Sequence, residues 1–449
     1  MLIDLIKNAG VVGAGGAGFP THIKLNAKAE YFIVNAAECE PLIETDKYIC
    51  RNHADELIEA IELIGNHLDS KHLVIVIKEK YKDEIEALNN AIKKSNAKIE
   101  LFYMDSFYPA GDEQVIVQLV TGKSVPERGI PLDVGAVVDN VGTVLWINNA
   151  FHQTPVTEKY LSVTGLVENP IMIKVPLGTS ITDCVNMAKP QADEYDILLG
   201  GPMMGKIFSE KSDIASKSVV KTTGNIMILP KEHYLTNRFQ MPLRKILKQA
   251  QSVCLQCRFC TDQCPRYRIG HNIRPHTIMR RIFMESSVID NNEYERFYGE
   301  AANCSECGVC EMYSCPMGLS PRKVNVFIKG QLREKNIDVH KNMPPIFRES
   351  VFSGWPSTSR LIARLGLSRY AAKHAANECI EMFPDKVNIP FSQHIGAPAV
   401  PIVKTGDTVK KGDMIAEAKE NALSSNIHCG IDGRVESVND QCAVISRKG

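Results

Sequence analysis

The sequence predicts a multidomain α/β protein, and three observations carry that prediction. Strand and helix patterns alternate through the first 150 or so residues. A β-rich stretch punctuated by Gly and Pro follows. Eight of the fourteen cysteines then gather in two short windows of an otherwise helical segment. At roughly 150 residues per domain, a chain of 449 residues has the length for about three separate cores.

In the unit spanning 1–156, residues 31–34 pattern a buried strand, and residues 73–77 and 99–103 two more. Between them, 53–68 places Leu57, Ile58, Ile61 and Ile64 at a helical period, and 81–94 does the same with Ile85, Leu88 and Ile92. Strands alternating with helices of this length imply a parallel sheet with helices packed on it. In 157–235, TEKYLSVTG and NPIMIKVPLG pattern a hairpin, and SITDCVNMA a short helix starting from Ser180 or Thr182 as cap. Residues 240–335 are mostly helical around the cysteines. Residues 336–388 contain several prolines and are expected to form a linker with some helix at 359–372. Residues 389–449 return to short strands with Gly-Asp turns at Gly406-Asp407 and Gly412-Asp413, a compact β module.

Composition narrows the function classes. Fifty-two Lys plus Arg balance 52 Asp plus Glu, so the usual electrostatic footprint of a nucleic-acid binder is missing. No apolar run approaches the ~20 residues that cross a bilayer, and the opening MLIDLIKNAG lacks the pattern of a signal peptide. A large chain that clusters its cysteines is unlike a secreted disulfide scaffold; the expected setting is a reducing cytoplasm, where thiolates bind metal.

The first cysteine window is Cys254-x2-Cys257-x2-Cys260-x3-Cys264-Pro265, and the second is Cys304-x2-Cys307-x2-Cys310-x4-Cys315-Pro316. Three cysteines at intervals of three wrap a turn of chain around a cuboidal cluster, and a fourth before proline comes from elsewhere. Structural zinc sites do not need the third closely spaced thiolate. Two [4Fe–4S] clusters are therefore expected. By the rule of two-cluster ferredoxins, Cys254, Cys257, Cys260 and Cys315 hold one, and Cys304, Cys307, Cys310 and Cys264 the other. The extra residue before Cys315 is expected to loosen that end. Cys50, Cys184, Cys379, Cys429 and Cys442 are isolated and read as buried thiols.

The glycine loop Gly13-Ala14-Gly15-Gly16-Ala17-Gly18-Phe19-Pro20-Thr21 supplies backbone that can approach a phosphate or a flat ring closely. Gly13, Gly15 and Gly18 satisfy G-x-G-x-x-G, with Glu38 twenty residues on. A dinucleotide fingerprint must follow a strand and open a helix. Here the upstream residues pattern a helix, and Pro20 disfavours helix at the residue before it.

The loop, followed by NAAECEP at 35–41, Asp46, YPAGDEQ at 108–114, TGKSVP at 121–126 and DNVGT at 139–143, resembles the flavin- and NADH-binding subunit of respiratory complex I. It resembles more closely the C subunit of the Rnf complex and the cobalamin reductase of propanediol-utilisation microcompartments. The resemblance covers nearly the whole chain. It implies a complex I flavoprotein-like α/β domain, a soluble-ligand-binding β-grasp (SLBB) module, a helical two-cluster ferredoxin domain and a C-terminal barrel-sandwich hybrid. It further implies that Gly13, Gly15 and Gly16 line FMN, that Lys24 supplies charge, and that Asn35, Glu38 and Glu40 hydrogen-bond the ring or ribityl chain. Phe19 would help hold the nicotinamide of NADH or its adenine, Asn140 and Thr143 form a second polar patch on the FMN, and Gly111, Asp112 and Glu113 lie near the nucleotide. Ala14 replaces an arginine of the complex I loop, and Cys39 a glycine. The C-terminal module resembles the biotinyl/lipoyl type, with Lys419 the lysine nearest the attachment position but at the wrong spacing from Gly433, so an unmodified docking or structural module is expected.

The function implied is flavo-iron–sulfur electron transfer from NADH through FMN and two clusters to an acceptor, cob(II)alamin foremost, in the cytoplasm or inside a microcompartment. A rival is a relay without NADH oxidation of its own, serving a partner such as proline reductase or an Rnf-type complex peripherally. A further rival is a ferredoxin-like binding module that has lost the nucleotide.

Overall fold

Strand β1 (Tyr31–Ala36) organises the N-terminal unit. Phe32, Val34 and Ala36 enter the core on one face of its sheet, and Ile33 enters the core on the other. A strand buried on both faces must be apolar throughout and needs helices on both sides. The structure, a computed structural model describing residues 2–341, 343–375 and 378–447, supplies them. Helices Ala54–Leu68, Lys82–Ser95 and Val141–Phe151 cover one face, and Glu113–Thr121 covers the other. With β2 (His72–Lys78), β3 (Ile99–Met104) and β4 (Ala136–Asn140), β1 forms a parallel sheet in the order β3-β2-β1-β4.

The expected strands and helices of this unit stand within two residues of their anticipated bounds. Strand β4 is an addition. Its polar residues Asp139 and Asn140 interrupt the apolar run, but they fall at the strand's carboxyl end, where the chain turns into a helix. The chain lays down β1, β2 and β3 in one direction and then returns to the far side of β1. The order therefore reverses between the carboxyl ends of β1 and β4, the crevice where open α/β sheets lodge ligands.

The second unit contains the expected antiparallel hairpin, β5 (Glu158–Gly165) with β6 (Ile171–Pro176). With β7 (Tyr195–Leu199), β8 (Lys206–Phe208), β9 (Asn225–Pro230) and β10 (Cys379–Glu381) it makes a six-stranded mixed sheet, β10-β6-β5-β9-β7-β8. Helix Ile181–Met187, with Ser180 at its N-cap, buries Ile181, Cys184 and Val185 in the core beneath. Two details correct the expected linker. Part of it, β10, pairs in parallel with β6, and its helix is shorter, Thr358–Arg364, stopping before Gly366 at φ +72°.

Helices Leu243–Val253, Pro275–Arg281, Asn291–Tyr298 and Pro321–Glu334 enclose the third core through Ile246, Ile278, Tyr294, Tyr298 and Val324. The C-terminal module packs the sheet β11-β17-β16-β13 (Lys386–Pro390, Cys442–Ser446, Gly433–Val438, Thr408–Val409) with the sheet β12-β14-β15 (Val400–Pro401, Met414–Glu417, Ile427–His428). Its Gly-Asp turns form as expected: Asp407 and Asp413 accept from Lys404 N at 2.7 Å and Lys410 N at 2.8 Å, and Gly406 and Gly412 take φ +98°. The fully buried Lys221 donates to Gly10 O and Asn426 O, both at 2.6 Å, and so ties three units together. Among the described residues no helix is long and apolar enough to cross a membrane.

Candidate functional site

The glycine loop lies over the reversal between β1 and β4. Helix Leu2–Asn8 precedes it, so the dinucleotide fingerprint lacks its strand. Gly13 N donates to Phe19 O at 2.9 Å and Gly18 N to Gly13 O at 3.1 Å, which closes the loop on itself. Ala14 N donates to Thr143 Oγ1 at 2.9 Å, and Lys159 Nζ to Ala14 O at 3.2 Å, which pin its base. Gly15, Gly16 and Ala17 remain exposed, and a Cβ on Gly16, at φ +106°, would meet nothing within 4 Å. The crest is bare backbone facing open space, and this conformation suits glycine.

Two contacts shape the walls. A Cβ on Gly15 would come to 3.2 Å from Asn140 Cβ, and one on Gly111 to 3.2 Å from Cys39 Sγ. Asn140 Oδ1 accepts from Gly142 N at 2.9 Å, capping the helix after β4, while Nδ2 donates to Asp46 at 2.7 Å. Asn35 accepts from Ala37 N and donates to Gly111 O, both at 3.0 Å. Lys24 lies 3.3 Å from Asp139 and also donates to Val138 O. Burial works against its charge, but Asp139 and Glu113 outweigh burial and hold its pKa above the usual lysine value. Phe19 is half-buried. The polar residues expected to face a flavin thus spend much of their bonding on building the cradle, and Thr143, with no exposed surface, acts through Ala14.

Carboxylates crowd the cradle's floor. Glu38 accepts from Glu40 N at 2.8 Å, and burial, then the Asp46 carboxylate, pushes its pKa up to about 8. Burial lifts Asp46 to about 6 despite its bond from Asn140. Glu40 accepts from Met203 N at 2.9 Å, and burial lifts it to about 7; its other oxygen has no partner. The buried Lys78 is lowered to about 8, mainly by desolvation. A site that neutralises carboxyls near pH 7 has low polarity, and orphaned oxygens in such a site are prepared for a polar ligand.

The cysteines fall into two groups. Cys254, Cys257, Cys260 and Cys315 line one small cavity with Gln256 and His276. Cys264 neighbours Cys304 and Cys307, and Cys310 neighbours both of these. The two loops follow one backbone path: Gln256 and Arg258 take φ +57° and +68°, and the corresponding Glu306 and Gly308 take +61° and +81°. Sulfurs accept hydrogen bonds, Cys254 from Gln256 Nε2 at 3.1 Å and Cys304 from Glu306 N at 3.4 Å. The extra residue before Cys315 does not loosen the chain; it is absorbed in a buried π-helical turn, Cys310–Ser314.

Burial pushes the Cys260 and Cys264 thiols up to about 12, and neighbouring thiols add to the rise. Such thiols keep their protons until a cation replaces them; burial raises the isolated Cys184 likewise, to about 12. Among the described residues no three His, Cys, Asp or Glu side chains converge tightly enough for a single metal ion. A cuboidal cluster needs no such convergence, because each iron takes one thiolate.

The second group is joined to the cradle. Buried Tyr108 donates to Cys307 O at 2.8 Å, and Arg266 Nη1, next but one to Cys264, lies 2.7 Å from Asp112. Arg322 Nη1 donates to Met203 O at 2.7 Å and pairs with Glu311 at 2.7 Å, so the loop carrying Met203 is held between Glu40 and this group. Asp112 thus serves as helix cap and ion-pair partner. Sequence patterns flag Tyr108 and Asp112 only as parts of a motif. Nothing in them marks Lys78, Met203 or Arg322, whose roles come from residues distant in the chain.

Comparison with known families fits this geometry. Residues 6–149 match the Nuo51 FMN-binding domain, 253–320 the 4Fe-4S dicluster domain, and 364–448 the RnfC barrel sandwich hybrid domain. The chain is 38% identical to the cobalamin reductase PduS of Citrobacter freundii and of Salmonella typhimurium, over 99% of this chain and 96% of each relative. It is 30% identical to the C subunit of a proton-translocating ferredoxin:NAD(+) oxidoreductase complex of Clostridium ljungdahlii, over 59% of this chain and 56% of that one.

Proposed function

The chain belongs to the family of the cobalamin reductase PduS, and from that premise we propose that it takes electrons from NADH and delivers them singly to a corrinoid, using FMN and two [4Fe–4S] clusters. FMN exchanges electrons in pairs on one side and singly on the other, and each cluster carries one at a time. The observation that carries the reading is the buried junction of Tyr108 with Cys307, which puts the glycine-loop cradle and a cysteine group in one continuous piece of protein.

The backbone of Gly13, Gly15 and Gly16 would take the flavin and its phosphate, and Lys24 would supply positive charge. Asn35, Glu38 and Glu40 would hydrogen-bond the ring or ribityl chain, the free oxygen of Glu40 being already unpaired. Asn140 and Thr143 hold the loop in place from beneath, and Phe19 would help hold the nicotinamide or adenine. Cys254, Cys257, Cys260 and Cys315 would ligate one cluster, and Cys264, Cys304, Cys307 and Cys310 the other. The sheet of the second unit, with helix Ile181–Met187 packed on its core, fits a soluble-ligand-binding β-grasp module. The protein would work in the cytoplasm, in or beside a microcompartment.

A relay reading is favoured by the Rnf-type likeness and by Ala14 and Cys39, which stand where the complex I loop carries arginine and glycine. Anaerobic purification with iron and flavin quantitation, then NADH titration in the visible spectrum, separates the two. About eight irons and one FMN, bleached by NADH, support the main reading. Bleaching only by a reduced carrier protein supports the relay, and absence of flavin after reconstitution sinks both. Appearance of Co(I) absorbance on adding cob(II)alamin under NADH tests the acceptor.

A further inference from the structure

The chain is neutral as a whole, yet residues 243–281 hold nine Lys and Arg against one acid, Asp262. Several are spent internally: Arg266 on Asp112, Arg268 on the carbonyls of Ser350, Ser353 and Gly354, Arg274 on Glu300, and Arg281 on Phe297 O. Arg258 pairs with Asp262 at 3.4 Å in solvent. Arg244, Lys245, Lys248 and Arg280 are exposed with no acidic partner among the described residues. Helix Leu243–Val253 buries Ile246 and Ala250, so Arg244 and Lys248, one turn apart, project from its opposite side. The helix runs directly into Cys254.

Around that cysteine the surface is apolar. Leu255 is 65% exposed, Phe259 53% and Met317 41%, and Cys257 itself is exposed. Leu255 and Met317 line the same cavity as Cys254, Cys257, Cys260 and Cys315. On the reading proposed above, that cavity is the seat of the cluster itself. An acceptor must therefore meet the rim from outside. A small apolar centre beside unpaired charge is the surface of a transient protein complex, in which charge sets the encounter rate and the apolar contact the close approach.

We propose that the face formed by Leu255, Phe259 and Met317, with the basic outer side of helix Leu243–Val253, docks an acidic protein bearing a one-electron redox centre at its own surface. The proposal rests on the reading that the Cys254 group holds a cluster. In each encounter one electron leaves that cluster, which is oxidised, and enters the partner's centre, which is reduced; no bond is made or broken. The group around Cys307, joined to the cradle, is then the inner station and the group around Cys257 the outer one.

The test uses reconstituted full-length protein reduced with dithionite, so that NADH plays no part. A fluorescently labelled, acidic plant-type [2Fe–2S] ferredoxin serves as probe and basic cytochrome c as its opposite. Binding is followed by anisotropy and electron transfer by stopped flow. At about 0.01 M salt, where the Debye length is about 30 Å, the double variant Arg244→Glu/Lys248→Glu should weaken ferredoxin binding about tenfold. The difference should shrink to within about twofold at 1 M salt, where that length is about 3 Å. Cytochrome c should respond with the opposite sign. The control Lys93→Glu/Lys98→Glu makes the same charge change on the first unit and should leave both probes within about twofold. Equal loss in the control, or salt-independent binding, overturns the proposal. So does binding of free aquacobalamin that is abolished by the first variant while ferredoxin is unaffected. Intact iron content in a protein that shows any of these outcomes would leave the cluster reading standing; missing iron would mean that the reading itself has failed.

Discussion

Residues 254–260 and 304–310 repeat one cysteine spacing and one backbone path, with left-handed residues at matching places, but their surroundings differ. Cys307 and Cys310 are buried, and the loop around them is bonded to Tyr108 of the first unit and touches the Met203 loop of the second. Cys257 is exposed, flanked by Leu255 and Phe259. At the fourth place after the first cysteine, the inner loop has Gly308 and the outer loop Arg258. A Cβ at Gly308 would lie 3.2 Å from Met203 O, so a side chain is crowded out there; Arg258 meets solvent and accepts the conformational cost. The spacing builds a cage, and the neighbours decide whether the cage faces inward or outward.

The largest effect that can break this comparison is loss of a ligand. Cys257→Ser and Cys307→Ser should each remove about half the iron, measured by iron assay and EPR. The Cys307 variant should also melt well below the Cys257 variant, because its group is part of the packed junction of three units. Equal melting temperatures would contradict the assignment of inner and outer groups.

Charge pairs sharpen the contrast next. Arg266→Ala removes the ion pair of the nearly buried Asp112 carboxylate, which keeps its bonds from Gln114 N and Val115 N, and should cost about 1–3 kcal/mol in urea unfolding. Arg258→Ala breaks a pair that is half in water and should cost at most about 1 kcal/mol. Tyr108→Phe, which strips the Cys307 carbonyl of its donor, is expected to cost about 1–3 kcal/mol, read from the same denaturation curves. The smallest effects are opposite in sign. Arg258→Gly relieves a left-handed residue and should stabilise by about 1 kcal/mol, whereas Gly308→Ala should destabilise by at least that much. Differential scanning calorimetry of the two variants settles the signs.

Much of the cradle was legible because its parts are local. The bare crest at Gly15 and Gly16 and the failure of the dinucleotide fingerprint both follow from which residues stand next to which. The strand β4 was not, since Asp139 and Asn140 disguise an apolar run that only pairing with β1 completes. Nor was the strand β10, a three-residue segment that becomes a strand because β6 offers it an edge.

By itself, the sequence determined what depends on a few consecutive residues: cysteine intervals that fit an iron–sulfur cage, glycines that leave backbone bare, and apolar periods that choose strand or helix. These follow from sterics and chirality within a turn of chain. Tertiary structure alone decided which cysteine group lies inside, that Arg266 finds Asp112 and that Tyr108 finds Cys307. Those partners are 154 and 199 residues apart, and their contacts exist only because separate cores were packed together, a long-range outcome that no local pattern records.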